Sequence, residues 1–189
     1  MSIQCAGKSM LFAALITLCD IAVTNAAPVN IVAIGASNTS GWGVGADRAY
    51  PAQLESMLRA RGIEARVINA GMPFDTTGAM RRRLATAVPP NTQIVILQPG
   101  ANDLRFFGTK EQRSANIAAM VSDLRAQKIK VIVFDEIIPS KYYAFDQIHL
   151  TVDGHAMIAA HLLPQVLDIV GKRPVNAQKE HKQLRESTR

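Results

Sequence analysis

Residues 34–45, IGASNTSGWGVG, follow the apolar run VNIVAI and hold four glycines and two serines. A glycine-rich loop placed after a buried strand can cradle a phosphate on its backbone amides, or it can present Ser37 as a nucleophile. A serine hydroxyl is weakly nucleophilic until an imidazole takes its proton, and the imidazole needs a carboxylate to fix its tautomer. Residues 146–150, DQIHL, carry both groups. Asp146 and His149 are three positions apart, which in a turn or a first helical turn sets them on one side of the chain. The remaining requirement is a set of N–H donors for a developing oxyanion, and the Asn102 side chain in PGAND and the Ser37 backbone amide are the expected ones. Each residue also has a structural reading: Ser37 as a helix or turn cap, Asn102 as a turn former, and Asp103 as a local hydrogen-bond acceptor for that turn, the role assigned to it here.

These residues need elements that bring them together. Four apolar, β-branched runs occur at 29–34, 65–69, 92–97 and 130–138. Because they are continuous rather than alternating, they are expected to be strands buried on both faces. Segments with helical spacing lie between and after them, at 49–62, 76–88, 110–127 and 153–171. Strand and helix alternate, so the expected fold is α/β: a doubly wound parallel sheet of about four strands in a three-layer αβα sandwich. Sites in such folds form beyond the carboxyl ends of the strands. Ser37 follows the first strand, Asp75 and Thr76 the second, Asn102 and Asp103 the third, and Asp146 and His149 the fourth. All four loops are therefore expected at one rim.

The chain has 189 residues and 48% hydrophobic content, enough for one domain with a sizeable core. Residues 1–26 read as a signal peptide: Lys8 precedes an apolar run, and small residues at 24–26 suit cleavage. Residues 27–171 form the expected domain, and 172–189 a basic, solvated tail. Both cysteines, Cys5 and Cys19, lie in the expected leader, so the mature protein would make no disulfide. The net charge of +6 is concentrated in the tail, with six basic residues against two acidic ones. The body has no basic stripe interleaved with aromatics, which argues against nucleic acid as a partner. Arg81, Arg82 and Arg83 read as a solvated helix face. His155 and His161, six apart, read as packing or surface residues, and no convincing set of metal ligands is present.

Taken in order, IGASNTSG, NAGMPFDTT, GAND and DQIHL resemble the four sequence blocks of the SGNH, or GDSL-type, hydrolases, and the resemblance spans about residues 29–171. It implies a flavodoxin-like SGNH hydrolase fold and a serine esterase or acyl hydrolase with no metal or organic cofactor. It further implies Ser37 as nucleophile, His149 as base, Asp146 as its orienting partner and Asn102 as oxyanion donor. The family usually carries Asp before the serine and Leu after it, where this chain has Ala36 and Asn38. The family's oxyanion glycine is replaced by Phe74, whose N–H can still donate if the turn does not require a positive φ. Only PSKYYAF separates the fourth strand from the Asp-His block, so the domain is expected to be a trimmed version with an open site. Trp42 and Tyr143 are expected to line the acyl or alcohol pocket.

The resulting expectation is a secreted or periplasmic, monomeric esterase acting on a small-molecule, lipid or carbohydrate ester, without stable membrane insertion once the leader is cleaved. Short acyl or aryl esters suit an open site; thioesters and lysophospholipids are further possibilities. One competing reading is an SGNH-like binding protein for carbohydrate or lipid, its catalysis impaired by Phe74 and Ala36. Another is a nucleotide- or flavin-binding domain, which leaves DQIHL and GAND without a role.

Overall fold

The structure, a computed structural model, describes residues 27–106 and 108–171; the expected leader and basic tail lie outside the described residues. Four parallel strands form one sheet: β1 (Val29–Gly35), β2 (Ala65–Gly71), β3 (Ile94–Gln98) and β4 (Lys130–Val133), in the order β2-β1-β3-β4. Successive residues of β1 face opposite layers. Ile31 and Ala33 meet Leu54 and Leu58 of α2 (Tyr50–Arg59) and Ile158, Leu162 and Val166 of α7 (Val152–Gly171). Val32 and Ile34 join Met80 of α3 (Thr77–Arg82), Leu84 of α4 (Leu84–Ala87), and Met120 and Leu124 of α6 (Lys110–Ala126). Burying each large aliphatic side chain of this kind stabilises the fold by about 1.5–3 kcal/mol. The three-layer, doubly wound arrangement is thus set by β1 and β3, which have apolar residues on both faces.

The order of the strands reverses direction at β1. β2 was added on one side and β3 and β4 on the other, so the connections leaving β1 and β3 diverge and open a crevice at their carboxyl ends. Two short helices begin at that crevice, α1 (Ser37–Ser40) after β1 and α5 (Asn102–Arg105) after β3. Two glycines let α1 lie against the strand ends. A Cβ on Gly35 would come within 1.9 Å of Thr39 Oγ1, and one on Gly71 within 2.2 Å of the Ser40 nitrogen. Below α1, Thr39 donates to Gln98 Oε1 at 2.7 Å and lies 3.4 Å from the Tyr50 hydroxyl, fixing it to β3 and α2.

Two expectations about the elements are corrected. The fourth strand pairs over only 130–133, not 130–138, and as an edge strand it has exposed as well as buried positions. Its ladder ends with Phe134 N–H donating to Leu97 O at 2.9 Å, because β3 gives way to a turn at Gly100, where φ is 66°. The helix expected at 76–88 is two helices. They break at Arg83, whose side chain is drawn inward rather than solvated: it donates to Asp75 Oδ2 at 2.6 Å and to Gly35 O at 3.2 Å.

Candidate active site

Ser37 is the first residue of α1. Its N-cap is Ala36, which has no side-chain cap bond, so the Ser37 hydroxyl does not serve as the cap. The Thr39 and Ser40 N–H groups donate to Ala36 O at 3.1 and 3.0 Å, so the amides that precede this hydrogen-bond ladder are those of Ser37 and Asn38. Ser37, Asn38, Asn102, Tyr143, Gln147 and Ile148 share the wall of a 290 Å³ cleft. Arg113 and Asp135 form another part of that wall, with Arg113 paired to the carboxylate and donating to Gly100 O at 3.0 Å.

Asn102 opens α5 and is 9% exposed. Its amide nitrogen donates to Asp75 O at 2.9 Å. A primary amide has two N–H groups, so one holds the side chain and the other is left for the cleft. The acceptor is itself fixed, since the Asp75 carboxylate is held by Arg83. Arg83 therefore orients Asn102 through Asp75. Arg83 is thus not part of a solvated run with Arg81 and Arg82, as its sequence neighbours suggest, because its partners lie on β1 and on the loop after β2. Asp103 is also corrected: its carboxylate does not serve the local turn but accepts from Thr77 N at 2.9 Å and Thr77 Oγ1 at 2.6 Å, joining α5 to the start of α3. Thr76 caps α3, accepting from Ala79 N at 3.2 Å.

Phe74 sits in the loop between β2 and α3 with φ of 68°, the left-handed region that favours glycine. The turn therefore does require a positive φ, and phenylalanine adopts it. Phe74 is 67% exposed, and its ring meets the Trp42 ring edge-on, with centroids 5.8 Å apart.

Asp146 and His149 belong to a tight turn made possible by Gln147, whose φ is 55°. Asp146 Oδ1 accepts from the backbone N–H groups of Ile148 and His149, both at 2.9 Å, while Oδ2 lies 2.6 Å from His149 Nδ1. The two backbone N–H groups, His149's first, and then the imidazole hold the Asp146 carboxyl down to about 2. Against this ionised carboxylate Nδ1 carries the ring proton, so a neutral imidazole offers Nε2 as a base. The ring is also packed on one face, with Trp42 stacked at 5.8 Å and 27°.

Asn38 joins the two halves of the site. Its side-chain nitrogen donates to Ile148 O and its oxygen accepts from Leu150 N, each at 3.1 Å, so it grips the turn on both sides of His149 from the position next to Ser37. No hydrogen bond joins the Ser37 hydroxyl to the imidazole among the described residues; in many hydrolases such a contact tightens only with substrate bound. Of the two expected pocket residues, Tyr143 is on the cleft wall and Trp42 is on the imidazole.

The two other histidines differ. His155 is fully buried, accepts from Tyr50 N at 3.2 Å, and burial pushes it down to about 4. His161 lies 3.0 Å from Glu136. Among the described residues, no group of three or more His, Cys, Asp or Glu is placed to hold a metal ion, and no helix is long and apolar enough to cross a membrane.

Residues 33–141 match the GDSL-like Lipase/Acylhydrolase family. Esterase TesA of Pseudomonas aeruginosa is 27% identical over 152 residues, covering 77% of this chain and 75% of that protein. An arylesterase of Vibrio mimicus is 27% identical over 124 residues, covering 65% of this chain and 62% of its own. A crystal structure of TesA superimposes with a TM-score of 0.68 at 18% identity, covering 74% of this chain and 99% of that one. Three layers around a parallel sheet, a cleft at the carboxyl ends of β1 and β3, and a matched segment running from β1 past β4 together place the chain in the GDSL-like lipase/acylhydrolase family, as a carboxylic ester hydrolase.

Proposed function

We propose that the protein is a serine esterase that cleaves short acyl or aryl esters through an acyl-enzyme, with Ser37, His149 and Asp146 as its triad. The observation that carries this reading is the Asp146–His149 pair, held by Asn38 from the position next to Ser37. Ser37 Oγ attacks the ester carbonyl while His149 Nε2 takes its proton, and Asp146 stabilises the imidazolium that forms. The tetrahedral oxyanion accepts from the backbone N–H groups of Ser37 and Phe74 and from the free N–H of the Asn102 amide. His149 then returns the proton to the departing alcohol, activates a water, and the acyl group leaves as a carboxylate.

The 290 Å³ cleft favours a short acyl chain or a single aryl ring. Thioesters and lysophospholipids are accommodated by the same chemistry. The competing binding-protein reading assumed that Phe74 would resist a positive φ; since it adopts one, its N–H is retained and the catalytic reading is favoured. We assign the enzyme to the periplasm or the exterior, following the expected leader at 1–26, and expect it to be monomeric. The test is steady-state hydrolysis of p-nitrophenyl acetate and butyrate. Ser37→Ala and His149→Ala should each abolish most turnover, and Asn102→Ala should lower kcat by about 10²- to 10³-fold. Retained turnover in Ser37→Ala would refute the assignment.

A further inference from the structure

Among the described residues, exposed large apolar side chains are not spread evenly. They gather on the loops at the carboxyl end of the sheet, around the cleft. Trp42 and Phe74 stand on the β1 and β2 side; Leu104, Ile137 and Ile148 line the mouth itself; and Phe145 projects beside Asp146. Ile137 and Phe145 are 98% and 102% exposed, so they touch almost nothing of their own chain. Single exposed apolar residues are ordinary, but a collar of them around a site marks a surface that meets something apolar.

The charges around the collar favour one kind of partner. Of the two carboxylates lining the cleft, Asp135 is paired with the Arg113 guanidinium, while Glu136 lies 3.0 Å from the His161 imidazole. Arg105, on the cleft wall, and Arg81 and Arg82, on the far side of α5, have no carboxylate partner among the described residues. An apolar collar flanked by free guanidinium groups matches a lipid–water interface with anionic headgroups, where acyl chains receive the apolar side chains and the phosphates attract the cations. A second copy docked on the same collar would close the cleft that hydrolysis needs open.

We propose that this collar is a docking surface for anionic lipid aggregates, membranes or micelles, which brings the cleft mouth against the interface. The benefit to substrate capture rests on the esterase reading, but the docking does not. The test therefore uses the inactive Ser37→Ala protein, in the processed form the cell produces, so that loss of catalysis and loss of docking are separate results. It is sedimented with vesicles of phosphatidylcholine alone or with 30% phosphatidylglycerol (about one anionic lipid in three, enough to give the surface a negative potential).

The protein should partition onto the anionic vesicles at least tenfold more strongly than onto the neutral ones. Adding Ile137→Ser and Phe145→Ser should weaken partitioning by about a hundredfold, each side chain supplying about tenfold, with an unchanged circular dichroism spectrum. Three results would overturn the proposal: no partitioning onto anionic vesicles; partitioning that survives the double substitution but is lost when residues 172–189 are removed; or self-association in solution that the double substitution relieves.

Discussion

Replacing Asn38 with leucine, the residue the family usually carries there, removes both hydrogen bonds that grip the Asp146–His149 turn. The two partners respond differently. Ile148 O lies on a partly exposed residue and can turn to water, at little net cost. Leu150 is 1% exposed, so its N–H is left without an acceptor, at about 1–3 kcal/mol. The variant should therefore lose about 2 kcal/mol of stability, or roughly 6–8 °C in Tm for a domain of this size. The turn keeps its internal bonds, in which the Ile148 and His149 N–H groups donate to Asp146 Oδ1, so the Asp146–His149 hydrogen bond survives, but it is no longer fixed relative to Ser37. A base displaced by a fraction of an ångström acts on the chemical step, so kcat should fall about tenfold or more while KM changes little. Thermal melts and p-nitrophenyl butyrate kinetics on the same preparations read both effects. An unchanged Tm together with an unchanged kcat would show that the turn positions itself and that Asn38 is incidental.

Two further expectations follow from strained or buried groups. Phe74→Gly should retain turnover within a few-fold, because glycine adopts the same φ of 68° and keeps the N–H; Phe74→Pro, which lacks the N–H and cannot reach that φ, should lower kcat by about 10²-fold or more in the same assay. His155 is held to about 4 when folded against 6.5 in a model peptide, so below pH 6.5 the unfolded chain binds a proton that the folded one does not. Its contribution is therefore present above pH 6.5 and is lost as pH falls towards 4, amounting to about 2 kcal/mol between pH 7 and 5. Chemical denaturation at the two pH values should show that loss. His155→Gln, which keeps an acceptor for Tyr50 N, should flatten the dependence.

The layers were legible because β1 and β3 carry apolar residues on both faces along 31–34 and 94–97, and only a sheet covered on both faces can bury Ile31 and Val32 at once. The end of β4 was not, since FDEII has the β-branched composition of a strand, and pairing there depends on where β3 turns away at Gly100. In the site, Ser37, Asp146 and His149 stood out by residue type and spacing. The groups that hold them did not. Arg83 looked like its neighbours Arg81 and Arg82 until the fold placed Asp75 beside it, Asp103 found its partner 26 residues away in Thr77, and Asn38 found its own partners across 110 and 112 residues. Local sequence shows a reactive group by its chemistry, whereas a supporting hydrogen bond exists only between segments that tertiary structure brings together.

The most direct test of the central claim asks only whether Ser37 is activated, and needs no knowledge of the substrate. The protein is treated with a fluorophosphonate and its intact mass is compared with that of Ser37→Ala. The account predicts one covalent adduct that is absent from the variant; a folded protein that takes up no reagent, or an adduct that persists in Ser37→Ala, would contradict it.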